Sequence, residues 1–235
     1  MIYAFVPARS GSTRLKNKNI KKLNNRPLIY YTVKVAIESK LIDKVIFSSD
    51  SIFYYNKLVQ TLEKDQIPTA KLVFDLRKKK YSTSKFKIFD YFKILFLDSK
   101  KFDSNDIIIQ LLPTCPLRTK KTLNDVIKTS VLEKRNYFTA TNYNFHVSFA
   151  FSISKNSWKS YSKNNPMIKG NTRGQDQIKY FYPNGSIYVI HIKNLKSSQK
   201  TFYENAKPYL MKANESLDID DIDDFNLASK IISKS

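Results

Sequence analysis

A chain of 235 residues, of which 42% are hydrophobic, is long enough to bury one sizeable core, so we expect a single domain. The lone cysteine, Cys115, excludes an internal disulfide, and no apolar run reaches the roughly 20 residues that a membrane span needs. No charged-then-apolar leader precedes the first strand-like run, so we expect a cytoplasmic protein without a membrane partner. The net charge of +21 suits phosphorylated ligands, although most lysines are dispersed as on a solvated surface.

Strand-like and helix-like segments alternate along most of the chain. Apolar runs typical of buried strands cover residues 2–6, 44–48, 71–74, 107–112, 137–141 and 186–192. Helical spacing covers residues 28–38, 53–63, 85–97, 119–133 and 222–232. This alternation predicts an α/β fold with a doubly wound, mostly parallel sheet. Ligands of such sheets bind beyond the carboxyl ends of the strands, where we place the loops at residues 7–19, 49–50 and 113–118.

Residues 142–174 interrupt this alternation. They are polar and aromatic with little helical periodicity, and they include Phe145, Phe149, Trp158 and Tyr161. We interpret them as an inserted arm within one domain of residues 1–235. Exposed aromatic patches often mark interfaces, but composition alone does not distinguish an interface from a small folded flap.

The loop at residues 7–19 combines one glycine with several cations. Backbone amides around Gly11 can chelate phosphate oxygens, and Arg9, Arg14 and Lys18 can donate charge-assisted hydrogen bonds to a polyphosphate. A single glycine matches neither the dinucleotide-binding fingerprint nor a Walker A loop, so those ligand classes lose support. We interpret the loop as a phosphate cradle, with a solvated basic loop as the alternative.

Five of the twenty acidic residues lie between Asp218 and Asp224. On an extended strand, Asp218 and Asp220 would point to the same face and could share one hard cation. Mg²⁺ usually takes one or two carboxylates together with phosphate oxygens. Acidic residues are also favourable at a helix N-terminus, so we assign Asp223 and Asp224 to the last helix and leave Asp221 unassigned.

Short motifs follow one another in a fixed order along nearly the whole chain. They are Pro-Ala-Arg-Ser-Gly-Ser, Arg-Leu, Lys-Asn-Ile, Pro-Leu-Ile, Ser-Ser-Asp, Leu-Pro-Thr-Cys-Pro-Leu-Arg, Arg-Gly-Gln-Asp, Asn-Gly-Ser-Ile-Tyr and Ser-Leu-Asp-Ile-Asp. In this order they resemble the acylneuraminate (CMP-sialic acid) cytidylyltransferases and their legionaminate and pseudaminate relatives. The resemblance implies a Rossmann-like fold of the nucleotide-diphospho-sugar transferase type, with residues 142–174 as a dimerisation arm.

The resemblance also implies a role for individual residues. It assigns CTP binding to Ala8, Arg9, Ser10, Gly11, Ser12, Lys18, Asn19, Arg77 and Ser84. It assigns sugar binding to Gln110, Arg173, Gln175, Asn184, Gly185 and Tyr188. It assigns catalysis to Arg9, Lys18 and Asp218, and a Mg²⁺ cofactor to Asp218 and Asp220.

The implied reaction joins CMP to a 2-keto sugar acid, such as N-acylneuraminate or a related nonulosonate. The anomeric hydroxyl attacks the α-phosphorus of CTP and expels pyrophosphate, with catalysis by in-line positioning and charge stabilisation. The resemblance implies a homodimer that serves surface polysaccharide biosynthesis.

The sequence departs from the family on the sugar side. Leu112 stands where relatives commonly have glutamine, and Gln110 lies two residues earlier. Tyr182 replaces a common arginine, and Arg173 is displaced by one position through Gly174. These changes remove or move positive charge near a carboxylated substrate, which indicates a less common 2-keto sugar acid.

Three other interpretations stay open. A Kdo-type nucleotidyltransferase would share the fold and the early motifs, although Lys18-Asn19 and Asn184-Gly185 favour the acylneuraminate branch. A nucleic-acid-binding module would use the +21 charge but would not need the ordered motifs, so we expect no nucleic-acid partner. A non-catalytic homologue would keep only the binding function.

Overall fold

A computed structural model describes residues 1–99, 101–155 and 157–233. Its strands are β1 (Ile2–Pro7), β2 (Lys22–Leu23), β3 (Arg26–Pro27), β4 (Lys44–Ser49), β5 (Leu72–Leu76), β6 (Ile107–Leu111), β7 (Asn136–Asn142), β8 (Phe151–Ser154), β9 (Ser157–Ser160), β10 (Phe181–His191) and β11 (Ala206–Leu210). Its helices are α1 (Leu28–Glu38), α2 (Ile52–Lys64), α3 (Ile88–Lys93), α4 (Lys120–Glu133), α5 (Pro166–Lys169) and α6 (Ile222–Ile232). In these residues no helix has the length and apolar character that a bilayer crossing requires.

The main sheet has seven strands in the order β11-β7-β10-β6-β1-β4-β5. Strand β10 runs antiparallel to β6 and β7, and the other neighbouring pairs are parallel. The predicted mostly parallel sheet is therefore confirmed. Because β4, β1 and β6 are parallel neighbours, their carboxyl ends meet at one edge of the sheet.

Helices cover both faces of this sheet. Apolar residues of α1, α2 and α4 pack on one face in a cluster that includes Ala4 and Val6 of β1. Phe5, which points to the opposite face, packs with Phe92 and Phe96 in a second, aromatic cluster. The alternation along β1 is the period of two expected for a strand buried on both sides. The predicted doubly wound arrangement is confirmed.

Several predicted boundaries differ from the structure; β10, for example, begins at Phe181 rather than at Ser186. Helix α1 and helix α6 match their predicted ranges, but α3 begins at Ile88 rather than Lys85 and continues as a π-helical turn over Ile94–Asp98. Lys87 has extended backbone angles, and the ring of Phe86 packs 5.1 Å from Tyr81. The segment before α3 therefore belongs to the loop that enters the site.

Strand β11 was not predicted. It pairs in parallel with β7 at the end of the sheet. Proline lacks the N–H that a central strand needs, so Pro208 within this segment argues against a strand unless that strand lies at an edge. The edge position explains how the strand tolerates Pro208.

The arm (residues 142–174) contains a separate two-stranded sheet, β8 and β9, followed by the short helix α5. Ile153 of β8 lies opposite Trp158 of β9, and both side chains are at least half exposed. The Asn165 side chain caps α5 through Met167 N and also donates to Ala150 O. The division of the chain into one domain with an inserted arm stays a prediction.

Candidate active site

A cleft of about 350 Å³ lies beyond the carboxyl ends of β1, β5 and β6. Its lining comes from the opening loop, the loop before α3 and the loop after β6: Pro7, Arg9, Ser12, Thr13, Arg14, Leu15, Lys18, Asn19, Arg77, Tyr81, Thr83, Ser84, Phe86, Ile88, Leu112, Pro113 and Thr114. Cations of the opening loop therefore face an apolar wall that is built by Phe86, Ile88 and Leu112.

The opening loop is fixed to the sheet by hydrogen bonds at its start. Ala8 N donates to Ser48 O (2.8 Å), which continues the pairing of β1 with β4. Both the backbone N and the hydroxyl of Ser10 donate to the carboxylate of Asp50, at 2.8 and 2.7 Å. Gly11 is exposed and lies outside the cleft lining. Ala8 and Ser10 thus fix the start of the loop, Ser12 lines the cleft, and the assignment of Gly11 to CTP stays a prediction.

Arg9 and Asn19 connect the opening loop to its surroundings. Arg9 Nη1 donates to Thr83 O at 2.7 Å, which bridges the cleft from the opening loop to the loop before α3. The buried side chain of Asn19 donates to Arg9 O at 2.9 Å. Asn19 therefore holds the backbone of Arg9, and both line the cleft as predicted.

Lys18 lies between the cleft and the acidic segment at Asp218–Asp220. Its Nζ donates to Ile219 O at 2.6 Å and lies 3.9 Å from Asp220 Oδ1. Burial lowers the pKa of Lys18, and the nearby carboxylates of Asp220 and Asp218 oppose that shift. A partly desolvated ammonium group forms stronger charge-assisted hydrogen bonds than one in bulk water, which suits phosphate binding.

Arg77 and Ser84 also line the cleft, as the resemblance implies. Arg77 is buried, with its guanidinium bonded to Ser48 and lying 4.8 Å from the ring centroid of Tyr91. Burial lowers the pKa of Arg77, but a guanidinium remains charged at neutral pH. The described residues place no carboxylate within ion-pair distance of Arg77. Its charge is therefore available to a ligand.

The acidic segment lies outside the sheet, so the expected strand at Asp218–Asp220 is wrong. Its burial nevertheless alternates: Ile219 is fully buried, Asp218 is exposed and Asp220 is half-buried. The backbone bond from Ile219 N to Thr114 O (2.8 Å) fixes the segment beside the cleft. The two carboxylates therefore share the exposed side, as the expected alternation requires.

The donor set suits Mg²⁺ only if a ligand contributes. Among the described residues, no three His, Cys, Asp or Glu side chains form a group that could hold a metal. Two carboxylates at Asp218 and Asp220 match the protein share of a Mg²⁺ site that phosphate oxygens and water complete. Asp221 caps helix α6 instead, in a capping box with Asp224, so the residue left unassigned is the N-cap.

The sugar-side residues occupy different environments. Gly185 adopts φ +70°, and a Cβ there would lie 3.4 Å from Leu112 Cδ1 and 3.7 Å from Asp218 Oδ2, which places the turn beside the cleft. The buried carboxamide of Asn184 bonds to Thr139 and Ser216. Asn184 therefore anchors that turn, and its contact with a sugar stays a prediction.

The other four sugar-side residues, like Asn184 and Gly185, lie outside the cleft lining. Gln110 is buried on β6 and its Oε1 has no hydrogen-bond partner, while Tyr188 is buried and its hydroxyl lies 3.1 Å from that of Tyr203. Arg173 and Gln175 are exposed at the short 3₁₀ turn Gly174–Asp176 that follows the arm. The pairing of β10 with β6 places Tyr188 directly opposite Gln110, whereas Arg173 and Gln175 lie on the exposed turn.

Two buried residues support the loop after β6. Arg118 donates to Ser186 Oγ, Thr32 Oγ1 and Leu112 O, and burial lowers the pKa of Arg118 to about 10. Burial raises the pKa of Cys115 to about 12, which disfavours a thiolate nucleophile. The structural interpretation of Cys115 fits this environment. The supporting role of Arg118 was missed, because its partners Thr32 and Ser186 are distant in sequence.

A mostly parallel α/β sheet with a cationic cleft beyond its carboxyl edge is typical of nucleotide-binding α/β proteins. Within that class, the sequence profile of the cytidylyltransferase family matches residues 3–232. The chain therefore belongs to the cytidylyltransferase family, which confirms the resemblance seen in the sequence.

Curated relatives agree with this assignment. N-acylneuraminate cytidylyltransferase from Escherichia coli is 30% identical over 99% of this chain and 52% of its own length. CMP-N,N'-diacetyllegionaminic acid synthase from Legionella pneumophila is 26% identical over 98% of this chain and 96% of its length. Pseudaminic acid cytidylyltransferase from Campylobacter jejuni is 26% identical over 97% and 94%. The chain thus spans about half the length of the N-acylneuraminate relatives.

Solved structures share the fold. CMP:2-keto-3-deoxy-manno-octonic acid synthetase complexed with CTP gives a TM-score of 0.67 at 13% identity, over 99% of this chain and 98% of that chain. 2-C-methyl-D-erythritol 4-phosphate cytidylyltransferase from Francisella tularensis gives 0.62 at 14% identity, over 97% and 98%. At these identities the likeness shows the fold alone.

Proposed function

We propose that the chain transfers a cytidylyl group from CTP to the anomeric hydroxyl of an acidic 2-keto sugar, with release of pyrophosphate. The observation that carries this proposal is the cleft itself, where Arg9, Lys18 and Arg77 converge and the carboxylates of Asp218 and Asp220 lie alongside. Cations beside a carboxylate pair suit a triphosphate and its metal.

Each residue has a defined task in this reaction. Arg9 and Lys18 bind the triphosphate and stabilise the charge that develops on the leaving pyrophosphate. Asp218 accepts the proton of the anomeric hydroxyl. The oxygen of that hydroxyl bonds to the α-phosphorus, and the bond between the α-phosphorus and the oxygen of the leaving pyrophosphate breaks. Asp218 and Asp220 would hold a Mg²⁺ ion, which would supply charge neutralisation and orientation for the triphosphate. Arg77 and Ser84 contact the nucleoside end.

The acceptor is a 2-keto sugar acid of the nonulosonate type. The names of the curated relatives, which are sialic, legionaminic and pseudaminic acid enzymes, support this choice over a Kdo acceptor. Gly185 lies beside Leu112 and Asp218, so the acceptor enters from the side of the β10 turn. Leu112 and Tyr182 stand where relatives commonly have glutamine and arginine. This difference favours an acceptor that presents apolar groups to these two side chains.

The proposal also covers the oligomeric state, the cellular compartment and the use of the product. A homodimer would bring the arm of one subunit to the other, and the exposed aromatic residues of the arm support it. The product would be a CMP-sugar for surface polysaccharide biosynthesis, made in the cytoplasm where CTP is available.

The test is pyrophosphate release with each nucleoside triphosphate across a panel of 2-keto sugar acids, with and without Mg²⁺. We expect a CTP-specific, Mg²⁺-dependent signal with at least one nonulosonate. Asp220→Asn should lower kcat by at least about 100-fold, because it removes a ligand from the metal that stabilises the transition state. Asp223→Asn, in the same acidic run but in the first turn of α6, is the matched control and should stay near wild type. Release that is equal with all nucleotides would refute the proposal.

A further inference from the structure

The hydrogen bonds around Arg77 form a network that includes residues outside the cleft lining. Arg77 follows β5 directly, and its backbone N donates to Ser49 O at 2.8 Å. Its Nε donates to Ser48 Oγ at 3.1 Å and its Nη2 donates to Ser48 O at 2.9 Å. Both bonds run to one residue of β4, so they fix the plane of the guanidinium relative to the sheet.

Asp75 determines how Ser48 bonds to Arg77. Ser48 Oγ donates its only proton to Asp75 Oδ2 at 2.6 Å, so its lone pairs remain free to accept from Arg77 Nε. The register of the parallel strands β4 and β5 places Ser48 opposite Asp75. The carboxylate therefore acts on the guanidinium through a hydroxyl and without a direct ion pair.

Tyr91, on helix α3, is the last member of this hydrogen-bonded group. Its hydroxyl donates to the same Asp75 Oδ2 at 2.7 Å, and its ring centroid lies 4.8 Å from the guanidinium carbon of Arg77. Helix α3 supplies Tyr91, whereas β4 and β5 supply the other members. Three separate elements thus hold one cation whose charge no carboxylate neutralises directly.

We propose that Ser48, Asp75 and Tyr91 are positioning residues that fix the direction in which Arg77 presents its guanidinium to the nucleotide. This inference rests on the proposed function, because it takes CTP as the ligand of the cleft. Pre-organisation is favourable here, since a rotamer-rich arginine that is already fixed loses less entropy when the ligand binds. Affinity for CTP then depends on side chains that lie behind the cleft wall.

The experiment measures CTP binding by calorimetry, without an acceptor, for wild type, Tyr91→Phe, Arg77→Ala and the double variant. Tyr91→Phe keeps the ring but removes the bond to Asp75, and it should weaken CTP binding about three- to tenfold. In the Arg77→Ala background the same substitution should change nothing further, because its effect passes through Arg77. The KM of the acceptor sugar should not change with Tyr91→Phe.

A second tyrosine offers a matched control. Tyr30 lies under the guanidinium of Arg26 at 5.9 Å, and Arg26 bonds to Asp65, in a Tyr-Asp-Arg group outside the cleft lining. Tyr30→Phe should leave CTP affinity unchanged. Ser48→Ala, which removes the hydroxyl between Asp75 and Arg77 and keeps the Tyr91 ring, should reproduce the loss if Tyr91→Phe fails to fold.

Two results would overturn the inference. One is wild-type CTP affinity in a folded Tyr91→Phe variant, and the other is an equal loss from Tyr91→Phe with and without Arg77. Failure of the wild-type protein to bind CTP would instead overturn the proposed function, so the two failures are distinguishable.

Discussion

Asp220 is shared between two cations of the opening loop. Its Oδ2 lies 2.7 Å from Arg14 Nη1, and its Oδ1 lies 3.9 Å from Lys18 Nζ. A metal bound at Asp220 would therefore compete with Arg14 for one carboxylate. The side chain of Arg14 is 68% exposed, so this ion pair contributes at most about 1 kcal/mol.

Arg14→Gln should therefore tighten binding of a divalent cation by up to about fivefold, because it removes the competing ion pair. The measurement is titration with Mn²⁺ followed by electron paramagnetic resonance, which needs no turnover. Lys121→Gln breaks an exposed ion pair with Asp125 on α4 and should leave the affinity unchanged. Unchanged Mn²⁺ affinity in Arg14→Gln would count against Asp220 as a metal ligand.

Site residues were predictable where motif and strand end coincide. Arg9 and Lys18 lie in the loop that follows β1, and this cationic loop could be interpreted without knowledge of the fold. The support for Arg77 could not be predicted, since Ser48, Asp75 and Tyr91 come from three elements whose register the sequence does not specify. Side chains that only position another residue leave no motif in the local sequence by which they could be predicted.

At the scale of the element, His191 ties α4 to the end of β10. Its Nε2 lies 3.0 Å from Ser130 Oγ, and its backbone N donates to Asn136 Oδ1 at 3.0 Å. Burial lowers the pKa of His191 below its ordinary value of 6.5, and Lys193 adds to that effect. The fold therefore favours the neutral imidazole.

Stability should consequently fall as the pH falls below about 6.5. Above that pH the imidazole is neutral in both states, whereas below it the unfolded chain binds a proton that the folded protein does not. Chemical denaturation between pH 7.5 and pH 5 should show a smaller decrease for His191→Gln than for wild type. His146→Gln is the control for the removal of one histidine from the chain. The prediction would be contradicted if the free energy of unfolding fell equally with pH in wild type and in His191→Gln.

Helices and strands were predicted well where the apolar periodicity of the sequence was not contradicted by another local feature. Helices α1 and α6 have clear apolar periodicity, and both match their predicted bounds. Strand β11 was missed because Pro208 weighs against a strand, and only the tertiary edge position removes that objection. The start of α3 was misplaced because Phe86 fits the helical pattern but packs on Tyr81 in the loop.

At the scale of the whole molecule, the arm is the part that one chain leaves incompletely packed. An isolated two-stranded hairpin is marginally stable in water, yet β8 and β9 carry large apolar side chains on their surface. Ile153 is 77% exposed, Trp158 is 51% exposed and Tyr161 is 82% exposed. In the proposed homodimer, a second copy of the chain would bury them.

The double substitution of Ile153→Lys and Trp158→Lys should therefore convert the dimer to a monomer, because these residues face each other across the hairpin and two buried charges would oppose association. Light scattering after size exclusion, at several protein concentrations, measures the change. Leu132→Lys alters a residue on α4 that is 84% exposed, and it should leave the dimer intact. CTP affinity should survive in the monomer, because one chain supplies the whole cleft lining described for it. A wild-type monomer at micromolar concentration, or a double variant that stays dimeric, would show that the arm is a flap rather than an interface.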